Sequence, residues 1–226
     1  MLLNGDLNTE ILSQKTAWSG RFGLDIIQFR HRRFDGTMSG VRTWELFRRG
    51  RAAAVLPYDP VRDQVAMIEQ FRLPALAAGM APVLMEIPAG LCEPGEDPAL
   101  TATRETLEET GLAVTGLHPI GTFLLTAGGA DETCALFIGR TSLPETPDPA
   151  THGLASEHED IRLGFYPAQQ AIDAALAGEY PNSVTTLALL WLAAKRDFLK
   201  QKWSFLPPLT SGEAWGEGNN QHGPER

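Results

Sequence analysis

The stretch that most constrains the fold covers residues 89–112, AGLCEPGEDPALTATRETLEETGL. A strand-like segment, PVLMEIPAG (82–90), leads into a loop rich in glycine and proline, and a helical pattern follows it. Asp97 is a suitable N-cap and Pro98 suits the first helical position, whereas Gly111 is a typical helix stop. The pattern therefore predicts a strand, a short loop and a helix in immediate succession.

The end of this helix carries a high concentration of negative charge. Glu105, Glu108 and Glu109 lie in its last turns, where the helix dipole disfavours carboxylates. Glu105 and Glu109 are spaced i, i+4 and repel each other, whereas Arg104 can partly neutralise Glu108 at the same spacing. A solvated acidic face is one explanation. We favour a bound Mg²⁺ ion, because hard divalent cations take oxygen ligands and would turn the repulsion into coordination.

Composition places the chain among ordinary globular proteins. It has 226 residues, of which 43% are hydrophobic and 21% charged, and a formal net charge of -9, which argues against a nucleic-acid surface. Two cysteines, Cys92 and Cys134, suit a reducing compartment. The N-terminus lacks signal-peptide features, and no apolar run reaches the roughly 18 residues of a membrane span. We expect a cytoplasmic protein with no membrane or nucleic-acid partner.

The N-terminal region predicts a small β element. Residues 21–34 alternate between apolar and polar side chains, Asp35 and Gly36 suit a hairpin turn, and residues 37–50 continue as a second strand. We therefore expect an accessory β hairpin within residues 1–50.

The remainder predicts one α+β or layered α/β domain over residues 51–206 and a mobile tail over 207–226. Its strand-like segments are 52–58, 64–72, 82–90, 113–126, 133–140 and 161–167. Two further helices are expected, one over 167–176 and one that begins with Ser183 as its N-cap.

The helix and its loop also match a known signature. The spacing is that of the Nudix box, G-x5-E-x7-R-E-U-x-E-E-x-G-U, where U is an aliphatic residue. The matching positions are Gly90, Glu96, Arg104, Glu105, Glu108, Glu109, Gly111 and Leu112. Thr106 departs from the pattern, since it stands where the family prefers an aliphatic side chain. The chain thus resembles the Nudix hydrolases, which implies an α/β/α sandwich around a mixed sheet and hydrolysis of a nucleoside diphosphate linked to another group.

The resemblance also implies roles for the box. Glu105 and Glu109 would be the principal Mg²⁺ ligands, Glu108 would assist catalysis, Arg104 would orient the carboxylates, and the carbonyl of Ala89 would complete the coordination. Gly90, Glu96 and Gly111 would be structural.

Segments outside the box resemble the bacterial ADP-ribose pyrophosphatases, from about residue 18 to about residue 199. They are RFGLDIIQFRHRRFDG, LPYDPVRDQVAMIEQFR, TAGGADE and HGLASEHEDIRL. In SEHED, the resemblance implies that Glu157 is the catalytic base and that Glu159 is a metal ligand; a solvated acidic loop is the alternative. Arg72 is a candidate phosphate clamp or a surface ion pair. Glu45 and Glu132 would help to hold the ribose or adenosine, partly across a dimer interface.

These features predict an enzyme that hydrolyses ADP-ribose to AMP and ribose 5-phosphate. The expected cofactor is Mg²⁺, as two or three ions with Mn²⁺ as a substitute, and the expected assembly is a homodimer. A diphosphatase for another nucleotide sugar, such as GDP-mannose, stays open because the box is shared. A catalytically silent module that senses a nucleotide is a further alternative, but the intact glutamates argue against it.

Overall fold

The computed structural model describes residues 3–147, 152–153, 159–204 and 206. They divide into two compact units. One unit contains the described residues up to Arg51 together with Phe123–Cys134, and the other contains Ala52–Thr122 with the described residues from Ala135 onward. The predicted tail, 207–226, lies outside the described residues, and the predicted domain boundaries stay predictions.

The first unit contains a three-stranded antiparallel sheet in the order β1-β2-β3. Its strands are β1 (Thr9–Ser19), β2 (Gly23–His31) and β3 (Arg42–Arg48). The expectation of a two-stranded hairpin was therefore incomplete. Most side chains of β1 are exposed and none is buried, so this strand has no buried face to produce an apolar alternation in the sequence.

The connection between β2 and β3 turns where the sequence predicts. Gly36 has a φ of 83°, in the left-handed region that favours glycine. The carboxylate of Asp35 accepts hydrogen bonds from the backbone N–H and the hydroxyl of Thr37, at 2.9 and 2.7 Å. The paired strands stop earlier than predicted on both sides of this turn.

The segment Phe123–Cys134 completes the first unit by pairing with β3. The N–H of Phe47 donates to the carbonyl of Gly129 at 2.8 Å, and the N–H of Asp131 donates to the carbonyl of Phe47 at 3.1 Å. The carboxylate of Asp131 also accepts from the backbone N–H groups of Arg49 and Gly50, at 2.6 and 3.1 Å. No periodic pattern in the sequence indicates this pairing.

A seven-stranded sheet follows, in the order β10-β5-β4-β9-β8, with β6 paired to β5 and β7 paired to β4. Its strands are β4 (Arg51–Asp59), β5 (Gln64–Phe71), β6 (Val83–Glu86), β7 (Ala89–Leu91), β8 (Thr115–Leu124), β9 (Thr133–Arg140) and β10 (Ile161–Pro167). The buried strand β4 and its antiparallel partner β5 confirm the prediction for this region. The segment predicted as one strand over 82–90 is divided into β6 and β7.

Four helices complete the described fold, so an α+β architecture is confirmed. They are α1 (Leu73–Ala77), α2 (Pro98–Thr110), α3 (Ala168–Leu176) and α4 (Ser183–Trp203). The short α1 was not predicted. The N-cap of α4 is Asn182 rather than Ser183, because the Asn182 side chain accepts the N–H of Thr185 at 3.0 Å. Within the described part of the chain, no helix combines the length and the apolar character needed to span a bilayer.

Candidate active site

The helix α2 begins and ends as its sequence predicts. The carboxylate of Asp97 accepts the N–H of Ala99 at 2.9 Å, which satisfies one of the free donors of the first turn. Gly111 ends the helix at a φ of 67°, and its N–H donates to the carbonyl of Leu107 at 2.8 Å. Both ends of α2, the helix that carries Glu105, Glu108 and Glu109, are therefore fixed by capping interactions.

The backbone of β7 contacts both carboxylates of the i, i+4 pair. A Cβ atom placed on Gly90 would lie 2.0 Å from Cδ and Oε1 of Glu105, so only glycine leaves room for this carboxylate. The N–H of the preceding residue, Ala89, donates to Oε2 of Glu109 at 3.1 Å. The side chains of Glu105 and Glu109 thus both lie against the backbone of the adjacent residues Ala89 and Gly90.

The electrostatics of these carboxylates favour a cation. Burial raises the pKa of Glu109 to about 8; the Ala89 N–H opposes this, and the charges of Glu105 and Glu159 add to it. Burial also raises the pKa of Glu105; Arg104 opposes the shift, and Glu108 and Glu159 add to it. Glu159 therefore lies close enough to Glu105 and Glu109 to raise the pKa of each.

Arg104 contacts three of the box glutamates. Its Nη1 donates to Oε1 of Glu105 at 2.8 Å and to Oε2 of Glu108 at 3.1 Å, and its Nε donates to Oε1 of Glu96 at 3.4 Å. Glu96 also accepts the backbone N–H of Glu93 at 2.8 Å, which secures the loop. Arg104 thus fixes the orientation of carboxylates from both the loop and the helix.

The departure at Thr106 has a local explanation. Thr106 is fully buried, and its hydroxyl donates to the carbonyl of Ala102 at 2.7 Å. The polar group is thus satisfied within the helix itself, and a buried position accepts a threonine in place of an aliphatic residue.

Arg72 lies at the end of β5 and forms an ion pair with a buried carboxylate. Its Nε and Nη2 donate to Oε2 of Glu86, at 3.0 and 2.7 Å. Its charge also lowers the pKa of Glu109, against the larger effect of burial. The sequence offers only one indication of Glu86, which is an acidic residue within the hydrophobic segment PVLMEIPAG, and its role was not predicted.

The base of the acidic loop lies against the last turn of α2. His152 and Ile161 exchange backbone hydrogen bonds at 2.9 and 3.2 Å, and the N–H of Gly153 donates to the carbonyl of Glu108 at 3.3 Å. A Cβ atom on Gly153 would lie 2.7 Å from Cβ of Glu159 and 3.0 Å from its Oε2. Glu157, the predicted base, lies outside the described residues.

The two remaining predicted contacts lie in the first unit. Glu45 is an exposed residue of β3, paired in register with Ile26 of β2. Glu132 accepts a hydrogen bond from Nη2 of Arg49 at 2.8 Å. The residues of the box, together with Arg72 and Glu159, lie in the second unit.

The donors fit a hard divalent cation by their chemistry. Glu105, Glu109 and Glu159 offer only oxygen ligands, and their mutual repulsion would be relieved by a cation. Among the described residues, no group of three or more histidine, cysteine, aspartate or glutamate side chains is already arranged to hold a metal ion.

Comparisons with known proteins show the family of the chain. The chain matches the family model of the NUDIX domain over residues 48–188. It is 40% identical over 200 residues to the ADP-ribose pyrophosphatase of Escherichia coli strain K12, covering 88% of this chain and 95% of that protein. The Haemophilus influenzae ADP-ribose pyrophosphatase is 37% identical over 197 residues, covering 86% and 90%. The Cronobacter sakazakii GDP-mannose pyrophosphatase is 29% identical over 184 residues, covering 81% and 94%.

A solved structure supports the fold alone. The crystal structure of an ADP compounds hydrolase superposes with a TM-score of 0.61 at 17% identity, and the match covers 88% of this chain and 98% of that one. Members of the Nudix family generally use divalent metal ions, which agrees with the oxygen donors collected around α2. The matched model spans more than half of the chain and includes the whole box, so this protein belongs to the Nudix family.

Proposed function

We propose that this protein is a Mg²⁺-dependent hydrolase that converts ADP-ribose and water to AMP and ribose 5-phosphate. The observation that carries the proposal is the pair Glu105 and Glu109, held against the backbone of β7 with pKa values raised by burial. Glu109 is buried, Glu105 is partly buried and pairs with Arg104, and so incomplete a balance of charge is unfavourable in a purely structural role. The similarity to two ADP-ribose pyrophosphatases supports the choice of substrate.

The proposed ligands are the carboxylates of Glu105, Glu109 and Glu159 and the carbonyl of Ala89. When bound, Mg²⁺ would offset charge on the phosphoryl oxygens and polarise the phosphorus centre. Glu157 would remove the proton of the attacking water, whose oxygen bonds to one phosphorus as the bond to the bridging oxygen breaks. We expect two or three Mg²⁺ ions, with Mn²⁺ able to replace them.

Glu108 would assist this reaction through its place in the Arg104 network. Arg72 would bind a phosphate through its planar donors, and Glu45 and Glu132 would contact the ribose or adenosine. We also propose that the protein is a cytoplasmic homodimer in which both subunits contribute to each substrate site.

GDP-mannose is a second candidate substrate, because a GDP-mannose pyrophosphatase is 29% identical over 81% of this chain. The box residues handle the diphosphate that both substrates share, so they do not separate the two candidates. A panel of nucleotide sugars at matched concentrations separates them by kcat/KM. A preference for GDP-mannose would replace ADP-ribose as the substrate and keep the reaction class.

The direct test is product analysis of the purified protein with ADP-ribose, with Mg²⁺ or with a chelator. We expect AMP and ribose 5-phosphate in equal amounts, and only when Mg²⁺ is present. Phosphate release, a different pair of products, or equal turnover in chelator would each contradict the proposal.

A further inference from the structure

Glu86 is a buried carboxylate that the proposed reaction does not use. It ends β6, is paired in register with Ile68 of β5 and is only 3% exposed. Burying an ionised carboxylate is unfavourable unless it is paired with a cation and its oxygens are hydrogen-bonded. The partners of Glu86 therefore indicate what it does.

The two oxygens of Glu86 join two other parts of the second unit. Oε2 accepts both Nε and Nη2 of Arg72, at 3.0 and 2.7 Å, and Arg72 directly follows β5. Oε1 accepts Nδ2 of Asn182 at 2.8 Å. The carbonyl oxygen of the same Asn182 side chain caps α4 by accepting the N–H of Thr185, so the amide cannot rotate without losing the cap. Asn182 thereby holds one oxygen of Glu86 in place, and the other oxygen orients Arg72.

This arrangement leaves Arg72 oriented but not fully occupied. The two hydrogen bonds to Glu86 use two of the five N–H donors of a guanidinium group. The Arg72 side chain is 38% exposed, and its charge acts on Glu109, one of the proposed metal ligands. The remaining donors are therefore available to an anion beside the metal site. An arginine that is already held in place loses less side-chain entropy when it binds a phosphate.

A second arginine on the same sheet provides a contrast. Arg162 of β10 pairs with Glu69 of β5, but its side chain is 73% exposed and the Glu69 side chain is 26% exposed. An exposed ion pair of that kind contributes little to stability and does not hold the arginine side chain in one orientation. The Arg72 pair differs because its carboxylate is buried and is itself held by a helix cap.

We infer that Glu86 is a positioning residue for diphosphate binding, because it holds Arg72 in the orientation that receives a phosphate of the substrate. Asn182 acts through Glu86, so the start of α4 is coupled to the same clamp. The inference rests on the proposed function, in which Arg72 binds the diphosphate of a nucleotide substrate.

The test is the dissociation constant of ADP with Mg²⁺, measured by calorimetric titration, so that no turnover is needed. Glu86→Gln keeps the shape but sets an amide N–H₂ against donors of Arg72 or Asn182, and we expect ADP to bind on the order of tenfold more weakly. Arg72→Lys should weaken binding by a similar factor, because lysine lacks the planar fork. The double variant should bind no worse than Arg72→Lys alone, since both changes act on one clamp.

Two matched variants separate positioning from stability. Asn182→Ser keeps a good helix cap but removes the donor to Glu86, and we expect roughly a threefold weaker affinity for ADP. Glu69 follows Ile68, the residue paired with Glu86, and its carboxylate pairs with Arg162 instead of Arg72. Glu69→Gln should therefore leave the affinity for ADP unchanged. If Glu86→Gln does not fold, Asn182→Ser carries the test.

Unchanged ADP affinity in Glu86→Gln or in Asn182→Ser, with only a lower melting temperature, would overturn the inference, as would additive effects in the double variant. Failure of the proposed function has a different signature. The wild-type protein would then leave ADP-ribose intact, while the differences in ADP affinity between the variants would persist.

Discussion

Two carboxylates in the second unit, Asp63 and Glu109, have pKa values shifted in opposite directions. Asp63, in the turn between β4 and β5, accepts the hydroxyl of Tyr58 at 2.7 Å and pairs with Arg196 and with Lys200, the latter at 3.1 Å. Burial acts to raise the pKa of Asp63, but these three partners outweigh it, and the pKa is lowered. At Glu109, burial prevails and the pKa is raised.

The difference lies in the balance of charge rather than in burial alone. Asp63 is one carboxylate with two cations, so its negative charge is stabilised in the folded state and connects the turn to α4. Glu105 and Glu159 raise the pKa of Glu109, Glu159 also raises that of Glu105, and the charges of Arg104 and Arg72 offset only part of these effects. A cluster of carboxylates with too few neighbouring cations favours the binding of a metal ion, whereas a carboxylate with matching cations stabilises the fold.

The largest expected effect is the loss of activity on neutralising Glu109. Glu109→Gln keeps an oxygen that can accept the Ala89 N–H but removes a charged ligand. We expect kcat to fall by at least about 10³-fold, because the charge stabilisation supplied by the metal is worth several kcal/mol. Stability in chelator should be equal or higher, since the raised pKa of Glu109 means that its carboxylate must take up a proton on folding at pH 7 and glutamine need not. Turnover of ADP-ribose and chemical denaturation measure the two effects.

The control for Glu109→Gln is Asp63→Asn, which likewise replaces a carboxylate by an amide of the same shape. It should leave kcat unchanged and lower the stability, the reverse of the first result. Retained turnover in Glu109→Gln would favour a different metal site over the proposed one.

The next effect concerns how Glu159 is placed. Gly153 has a φ of 99°, and a Cβ there would meet Glu159, whereas Gly178 has a φ of 75° and nothing within 4 Å. Gly153→Ala and Gly178→Ala therefore carry a similar backbone penalty of roughly 1 kcal/mol. Only the first should lower kcat, by about 10- to 100-fold, and raise the Mg²⁺ concentration needed for half-maximal activity. Equal kinetics in the two variants would show that Glu159 needs no such support.

The box could be recognised from sequence because its chemistry is local. Asp97, Pro98 and Gly111 set the bounds of α2, and the i, i+4 spacing of Glu105 and Glu109 already indicates repulsion that requires an explanation. These features lie within one loop and one helix, where spacing in the sequence determines spacing in the structure.

Contacts between distant segments could not be predicted in this way. The bond between Glu86 and Asn182 joins residues that are 96 positions apart, and no periodicity links them. The strand β1 was missed because none of its side chains is buried, so it has no apolar alternation. Its contacts with β2 are backbone pairing and polar side-chain bonds such as Gln14 and Thr16 to Asp25. The pairing of Phe123–Cys134 with β3 likewise depends on backbone hydrogen bonds.

A smaller effect, on stability, tests the interactions of Asp63 with Tyr58, Arg196 and Lys200. Asp63 has a φ of 57°, which asparagine tolerates well, so Asp63→Asn removes the charge without adding backbone strain. We expect the free energy of unfolding at pH 7 to fall by about 1–2 kcal/mol, as for the loss of a partly exposed charged hydrogen-bond network. Urea denaturation provides the measurement, with Gly178→Ala as a reference for a change that affects the backbone alone.

The same pair of proteins gives a pH dependence of known sign. Because the folded-state pKa of Asp63 is lowered, its stabilisation is fully present above the unfolded pKa of about 3.9 and is lost as the pH falls through the folded pKa. The stability difference between wild type and Asp63→Asn should be constant from about pH 7 to 5 and shrink below about pH 4. A difference that grows on acidification would contradict the lowered pKa.

The smallest effect is expected at Thr106, a fully buried residue of α2. Thr106→Val restores the aliphatic residue that the family prefers and removes a hydroxyl bonded to the carbonyl of Ala102. That carbonyl still accepts the i+4 backbone N–H of the helix, so no acceptor is left without a partner, and a methyl group replaces a polar one in a fully buried position. We expect stability to change by no more than about 0.5 kcal/mol, with a gain favoured, and kcat to stay the same. A loss of more than about 1.5 kcal/mol would mean that the hydroxyl is part of the support for the metal face.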